Sequence, residues 1–375
     1  MKQPVPAAHI FFAGGGTGGH LYPGLAIARA IVKCAPNVLP HFIGSRRGIE
    51  RDILPTTEFP FTLLDLHPLY RRRPWENWRT IRGAWTAWRG ISALARAKMP
   101  DAVLGTGGDA AGVALAWAGA HGIPTLLHEP DSHPGLTTRL FAKRARAVYL
   151  GFPEAEKRLS LSPGTTVLAL GSPIDPPPVS LPSPGEARRA WGFPQNAFVV
   201  LVTGGSQGAQ AVNECVAQWV ASGLPAGVHL IWSTGTRQAD RWSHLESSRV
   251  RVCPYLRPIA AAYAAASMAV ARAGAMSIAE LGAWGIPSLL VPLPTAARDH
   301  QTYNARACEA AGGALCLPQR DLSVERLNAE VESLQRDSER RDAMRAAMLA
   351  SAHPEAAANI ARSVLNILGI PAYER

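Results

Sequence analysis

The stretch His9–His20, HIFFAGGGTGGH, decides how the rest of the chain is read. His9–Ala13 is an apolar run of strand length, Gly14–Gly19 is too glycine-rich to stay regular, and a helix-like stretch follows from about Pro23 to Lys33. Strand, tight loop and helix in that order open a βαβ unit. Glycines let the backbone approach a ligand closely, and the helix that follows offers unpaired N–H groups and the positive end of its dipole to an anion. The loop lacks the Gly-Lys-Ser/Thr ending of a P-loop and does not match the dinucleotide fingerprint, so a phosphate-facing loop and a plain tight turn both remain open.

Working outward, apolar runs recur at Pro40–Ile43, Ala102–Leu104, Thr125–His128 and Ala147–Leu150 with helical stretches after them. Such alternation predicts a parallel sheet covered by helices on both faces. Residues 171–185 read GSPIDPPPVSLPSPG, too dense in proline for helix or strand, which predicts an interdomain linker over 172–185. The pattern then restarts with a strand at Phe198–Thr203, a glycine turn at Gly204–Gly208 and a helix at Gln210–Ser222. Further strands are expected at His229–Trp232, Val250–Cys253, Met268–Ala271 and Ser288–Val291. The expectation is an α/β chain of two Rossmann-like domains, 1–171 and 186–353, whose parallel sheets face an interdomain cleft. The tail, 354–375, should cross back as a helix onto the first domain.

A chain of 375 residues suits two domains, and 47% hydrophobic with 18% charged residues is enough to bury two cores and argues against disorder. No run of eighteen apolar residues is present and the first residues lack a signal-peptide pattern, which predicts a chain that neither spans a membrane nor is exported. Five scattered cysteines without a CxxC pair suggest neither a disulfide framework nor a zinc site. The net charge of +10 calls for an anionic partner: nucleic acid, anionic lipid or a phosphorylated substrate.

The tryptophans choose among these. Trp75, Trp78, Ile81, Trp85 and Trp88 recur every three or four residues on one helical face, and Arg71, Arg72, Arg73, Arg79, Arg82 and Arg89 surround them. Tryptophan favours the headgroup boundary and arginine pairs with anionic lipid, so the segment reads as a helix lying on a membrane surface. A core-facing stripe with a basic flank is the alternative. A stripe differs from the interleaved aromatic platform of nucleic-acid binders, which argues against a nucleic-acid partner.

Three further features carry chemistry. His20 at a helix start can take a proton from a substrate hydroxyl near neutral pH, its alternative being a packing histidine. Gly204–Ala209, GGSQGA, is a second strand-to-helix glycine loop whose Ser206 can donate to a phosphate oxygen. In Arg272–Glu280, RAGAMSIAE, small residues open a helix and Glu280 falls where acidic residues take ribose hydroxyls in nucleotide-binding folds, unless it is simply solvated. Asp299-His300-Gln301 then supplies polar groups suited to sugar hydroxyls.

Gly14–His20 followed by Tyr22-Pro23-Gly24, then His128-Glu129, Gly204–Ala209, Arg272–Glu280 and Asp299–Thr302, occur in the order found in the MurG family of family-28 glycosyltransferases. The chain resembles that family over nearly its whole length. The resemblance implies a GT-B fold and inverting, metal-independent transfer of N-acetylglucosamine from UDP-N-acetylglucosamine, with no cofactor. The acceptor it implies is the 4-hydroxyl of undecaprenyl-diphospho-N-acetylmuramoyl-pentapeptide (lipid I), giving lipid II for peptidoglycan. It implies a peripheral place on the cytoplasmic face of the cell membrane, among cell-wall synthesis proteins. His20 matches the family's proposed catalytic histidine, Leu256 the backbone position that reads uracil, Ser206 the phosphate-binding serine and Glu280 the ribose-binding glutamate. Ala275, Met276 and Ser277 match the helix start facing the diphosphate. Gln301, with His300 before it, matches the sugar-binding glutamine, and Thr17, Gly18 and Gly19 complete the donor-side set.

Gly14, Gly15, Asp109, His128, Glu129 and Asp131 are the acceptor-side candidates. Here the chain departs from the family. His128-Glu129-Pro130-Asp131 stands where the family usually has His-Glu-Gln-Asn, Asp109 where an aromatic is often found, and Ser172-Pro173-Ile174-Asp175 where it has Asn-Pro-Val-Arg. These departures keep open a different lipid acceptor, such as diacylglycerol. A non-catalytic sugar-nucleotide scaffold would be marked by loss of His20 or Glu280, and both are present.

Overall fold

The computed structural model of the chain describes residues 8–66, 75, 77–205, 208–236 and 239–372. They form two compact units: one runs to Ile174 and resumes at Glu355, and the other covers Asp175–Pro354.

In the first unit, β1 (His9–Gly14), β2 (Leu39–Ser45), β3 (Phe61–Leu64), β4 (Ala102–Gly107), β5 (Thr125–Glu129), β6 (Ala147–Leu150) and β7 (Thr166–Ala169) form one parallel sheet. Its order is β3-β2-β1-β4-β5-β6-β7. Every residue of β1 is buried because helices cover both sheet faces, so the strand reads as a continuous apolar run. Side-chain alternation divides it. Ile10 and Phe12 join a core with Leu25, Ile31, Val364 and Leu365, while Phe11 and Ala13 face Val103, Leu115 and Trp117. The first core packs α1 (Gly18–Cys34) beside α14 (Ala356–Ile367), and the second packs α4 (Gly108–Ala120) and α3 (Asn77–Ala97). Helix α1 begins at Gly18, ahead of the sequence expectation, and carries Pro23 inside it.

In the second unit, β8 (Phe198–Thr203), β9 (Val228–Ser233), β10 (Val250–Cys253), β11 (Met268–Ala271), β12 (Ser288–Leu290) and β13 (Ala314–Cys316) are again parallel, ordered β10-β9-β8-β11-β12-β13. It opens with α6 (Pro184–Ala190), so the last residues of the proline-rich stretch are helical. Ser183 and Glu186 form a reciprocal capping box and Pro184 occupies the helix start, where its missing N–H is not needed.

In both sheets the strand order reverses once, between β1 and β4 and between β8 and β11. At such a switch point the connections leave the carboxyl ends of neighbouring strands on opposite faces, opening a crevice for ligands. The loops at those ends are Gly14–Thr17 and Gly107–Gly108 in the first unit, and Gly204–Ala209 and Arg272–Gly274 in the second. Each glycine loop singled out in the sequence stands at a switch point.

Candidate active site

His20 sits in the first turn of α1. Its Nδ1–H donates to the carbonyl of Gly15 at 3.0 Å, with Thr17 Oγ1 3.4 Å from the same nitrogen. A carbonyl can only accept, so this contact places a proton on Nδ1 and, in the neutral ring, puts the lone pair on Nε2. The opposite wall is the β4 end. Thr106 Oγ1 donates to the His20 carbonyl at 2.6 Å, and a methyl group built on Gly107 would lie 2.6 Å from His20 Cδ2 and 2.9 Å from Nε2. Gly107 and Gly108 have φ of 107° and 83°, and a methyl on Gly108 would come within 2.4 Å of the Gly15 carbonyl oxygen. Side-chain-free backbone is therefore required where the two loops touch.

Asp109 follows on the first turn of α4, at the exposed rim. The protein crowded around its carboxyl raises its pKa; His20 opposes the shift and the charge of Glu50 adds to it. His128 and Glu129, the acceptor-side candidates on β5, both lie buried at the end of that strand. Burial drives the His128 imidazole down to about 3, so it is neutral. Burial, aided by Asp131, pushes the Glu129 carboxyl up to about 7. Glu129 accepts from the N–H groups of Asp131 at 3.1 Å and Gly135 at 2.9 Å, holding the loop ahead of α5 (Leu136–Phe141). Asp131 is partly exposed in that loop.

Sequence reading missed Glu50, in the short helix α2 (Glu50–Ile53). Its side chain is fully buried, accepts from Ser45 N at 3.0 Å, and fills space left free by Gly15, Gly44 and Gly48. A cavity of ≈ 210 Å³ lies beside it against Gly16, Arg47 and Asp109. The available signal was the repeated glycine around a lone acid, Gly44 to Gly48 and then Glu50.

In the second unit, a methyl on Gly208 (φ 74°) would lie 2.2 Å from the Thr234 carbonyl oxygen, so the glycine loop packs directly on the end of β9. Asn213, on α7 (Gln210–Ser222), ties that end down by donating to the Thr234 carbonyl at 2.8 Å and accepting from Trp232 Nε1 at 3.0 Å. Ser206 and Gln207 lie outside the described residues.

After β11 the chain enters α10 (Ala275–Ala283), whose N-cap Gly274 supplies no side-chain cap. The first N–H groups, at Ala275, Met276 and Ser277, therefore receive no side-chain cap at the switch point. Arg272, just before that helix, is engaged within the fold. Its guanidinium donates to the Val291 and Pro292 carbonyls at 3.0 and 3.1 Å and to Gln319 Oε1 at 2.6 Å, tying strand ends together. Glu280 lies in the last turns of α10, its pKa raised by burial and by Asp175 against the opposing bond from Tyr263. Leu256 is buried in the turn after β10, between exposed Tyr255 and Arg257.

Helix α11 (His300–Ala310) follows Arg298 and Asp299, two consecutive non-glycine residues at φ 55° and 57°. Each costs roughly 1–3 kcal/mol and such outliers gather at ligand sites. The turn aims His300, whose Nδ1–H donates to the Ala297 carbonyl at 2.9 Å, and Gln301, whose Oε1 accepts from Leu293 N at 2.9 Å. Gln301 thereby presents its amide from a fixed side chain.

Family models of the glycosyltransferase family 28 N-terminal domain and C-terminal domain match residues 10–150 and 199–360. The chain belongs to glycosyltransferase family 28. Among its curated relatives is the UDP-N-acetylglucosamine--N-acetylmuramyl-(pentapeptide) pyrophosphoryl-undecaprenol N-acetylglucosamine transferase of Salinibacter ruber, 37% identical over 366 residues, 96% of each chain. The enzyme of that name from Desulforudis audaxviator is 36% identical over 96% of this chain and 98% of its own. Among solved structures, MurG of Acinetobacter baumannii superposes with a TM-score of 0.74 at 25% identity, covering 96% of this chain and 99% of that one. The fold is accordingly GT-B, with the family-28 motifs at both switch points.

Helix α3 carries the tryptophan segment, and it has two faces. Ala87, Ile91 and Ala95 are buried against the sheet, while Trp75 just before the helix and Trp78, Ile81 and Trp85 on it are 71%, 56%, 71% and 58% exposed. Trp88 departs from the expected stripe. It is partly buried and packs inward, 6.0 Å from the His121 ring, although it lies two turns along nearly the same row as exposed Ile81; what differs is the core that covers this end of the helix. The Arg89 guanidinium stacks on Trp85 at 4.8 Å. The side chain of Arg79 and residues 71–73 lie outside the described residues. No described helix is long and apolar enough to cross a membrane. Among the described residues no group of three His, Cys, Asp or Glu is placed to hold a metal.

Proposed function

We propose that the chain transfers N-acetylglucosamine from UDP-N-acetylglucosamine to the 4-hydroxyl of lipid I, giving lipid II, with inversion and without a metal. The observation that carries the reading is His20, a histidine fixed by the Gly15 carbonyl with Nε2 left as a base at a switch point. The Nε2 lone pair takes the hydroxyl proton as the acceptor oxygen bonds to the anomeric carbon. The anomeric carbon–oxygen bond breaks on the opposite side, and its electron pair leaves with UDP.

A positioned base contributes 10²–10⁴-fold, about 3–5 kcal/mol of barrier. Charge growing on UDP falls to the uncapped start of α10 at Ala275–Ser277 and to Ser206. Glu280 takes the ribose hydroxyls, the Leu256 backbone the uracil, and His300 with Gln301 the sugar. On the acceptor side the loop at Asp131 and the rim residue Asp109 meet the lipid-linked diphosphosugar, and Glu129 supports them from within.

The exposed Trp75, Trp78, Ile81 and Trp85 suit a peripheral place on an anionic bilayer, which on this reading is the cytoplasmic face of the cell membrane. The testing experiment offers UDP-N-acetylglucosamine with lipid I and with diacylglycerol in parallel. Product from lipid I alone is expected. Product from diacylglycerol alone would make the acidic acceptor side, Asp109 and Asp131, the mark of a different acceptor.

A further inference from the structure

Tyr263, on α9 (Ala260–Ala265), is 4% exposed, and its hydroxyl donates to Glu280 Oε2 at 2.6 Å. Burial and the adjacent Glu280 charge raise the tyrosine's pKa, so it stays a donor at every working pH. Its ring leans on Trp284, the residue that ends α10, with centroids 5.6 Å apart. On another side lies a cavity of ≈ 720 Å³ at the amino ends of β8, β11 and β12, lined by Phe198, Tyr263, Ser267, Trp284 and Pro287. The cavity leaves open space on one side of Tyr263, while the Trp284 face and the hydroxyl bond to Glu280 hold it on others.

We propose that Tyr263 is the positioning residue for ribose recognition: by occupying one oxygen of Glu280 it orients the carboxylate so that the other meets the ribose hydroxyls of a uridine nucleotide. A glutamate side chain has three rotatable bonds and reaches two vicinal hydroxyls only from a narrow set of rotamers. A charge-assisted bond at its far oxygen selects among them before the ligand arrives, which lowers the ordering cost of binding. The second effect is on ionisation. Without the tyrosine hydroxyl the half-buried carboxyl protonates more readily and loses acceptor capacity. The proposal rests on the reading of Glu280 as the ribose-binding carboxylate.

Calorimetry with UDP and with 2′-deoxy-UDP on wild type, Tyr263→Phe, Glu280→Ala and the double variant tests it. Wild type is expected to prefer UDP by about tenfold, the worth of one charge-assisted hydrogen bond. Tyr263→Phe keeps the ring and its Trp284 contact, so it should melt near wild type while most of that preference disappears, through weaker UDP binding with 2′-deoxy-UDP almost unchanged. Glu280→Ala should abolish the preference, and adding Tyr263→Phe to it should change nothing further. In turnover, Tyr263→Phe should raise KM for the sugar nucleotide with kcat held. A folded Tyr263→Phe protein that keeps the full preference would reduce Tyr263 to packing and overturn the proposal while leaving the Glu280 reading intact. Equal preference in wild type and Glu280→Ala would sink the Glu280 reading, and this proposal with it.

Discussion

Gly107→Ala tests the placement of the base without touching the base. The new methyl would lie 2.6 Å from His20 Cδ2, where ordinary contact begins at 3.4 Å, so ring or backbone must give by about 0.8 Å. Gly107 also has φ of 107°, a region that strains any L-residue by roughly 1–3 kcal/mol. The ring cannot retreat freely, because Nδ1 is bonded to the Gly15 carbonyl at 3.0 Å and the residue's own carbonyl is held by Thr106 at 2.6 Å. Relief comes through loss of the Nδ1 bond, so both position and tautomer of the proposed base are disturbed.

A misplacement of about 1 Å can lower turnover by around a hundredfold, and a displaced base forfeits part of the 10²–10⁴-fold it supplies. The expected outcome is a kcat fall of about 30- to 100-fold with UDP affinity unchanged, since the proposed uracil, ribose and diphosphate contacts at Leu256, Glu280 and Ala275–Ser277 belong to the other unit. Single-turnover kinetics at saturating acceptor give the rate, calorimetry the UDP affinity, and thermal melting shows the variant folded. A folded variant that turns over within about threefold of wild type would refute the assignment of His20 as a base held between these loops.

His20→Ala should lower turnover at least about a hundredfold at neutral pH while calorimetric UDP affinity holds, because the imidazole acts on the acceptor. Trp78→Ala with Trp85→Ala should reduce sedimentation with anionic vesicles by roughly 1–2 kcal/mol per ring and leave the melting temperature almost unchanged; the reverse pattern would return the rings to the core. Glu129 has a pKa pushed up to about 7 from 4.5, so the unfolded chain releases its proton first. Stability should then fall as pH rises from about 4.5 to 7, by a few kcal/mol at most, and Glu129→Gln should flatten that slope in urea titrations at pH 5 and pH 7.5.

Much of this molecule follows from local pattern. The apolar run His9–Ala13, the glycines after it and the restart at Phe198 are enough to call for two parallel α/β units, because strand, turn and helix each depend on neighbours in sequence. The candidates at His20, Glu280 and Gln301 come from the same kind of local pattern: each is a residue type at a set offset from a strand end. Trp78, Ile81 and Trp85 could be placed on one helical face by spacing, but spacing could not say whether that face looks inward, and it assigned Trp88 to the wrong set. Their exposure depends on which side of α3 meets the sheet, which Ala87, Ile91 and Ala95 settle.

What only the tertiary structure decided are contacts between residues far apart in the chain. His128 and Glu129 stand out in sequence only as a polar pair; their place at the end of a covered strand, where burial keeps the imidazole neutral and Glu129 accepts from the backbone of its own loop, is visible only in the fold. Glu50 fills the gap left by three glycines, and Tyr263 reaches Glu280 across seventeen positions. Gly107 meets His20 across more than eighty. No periodicity encodes such pairs, because they arise where one loop's missing side chain admits another's, and that fit exists only after both strands have taken their places in the sheet.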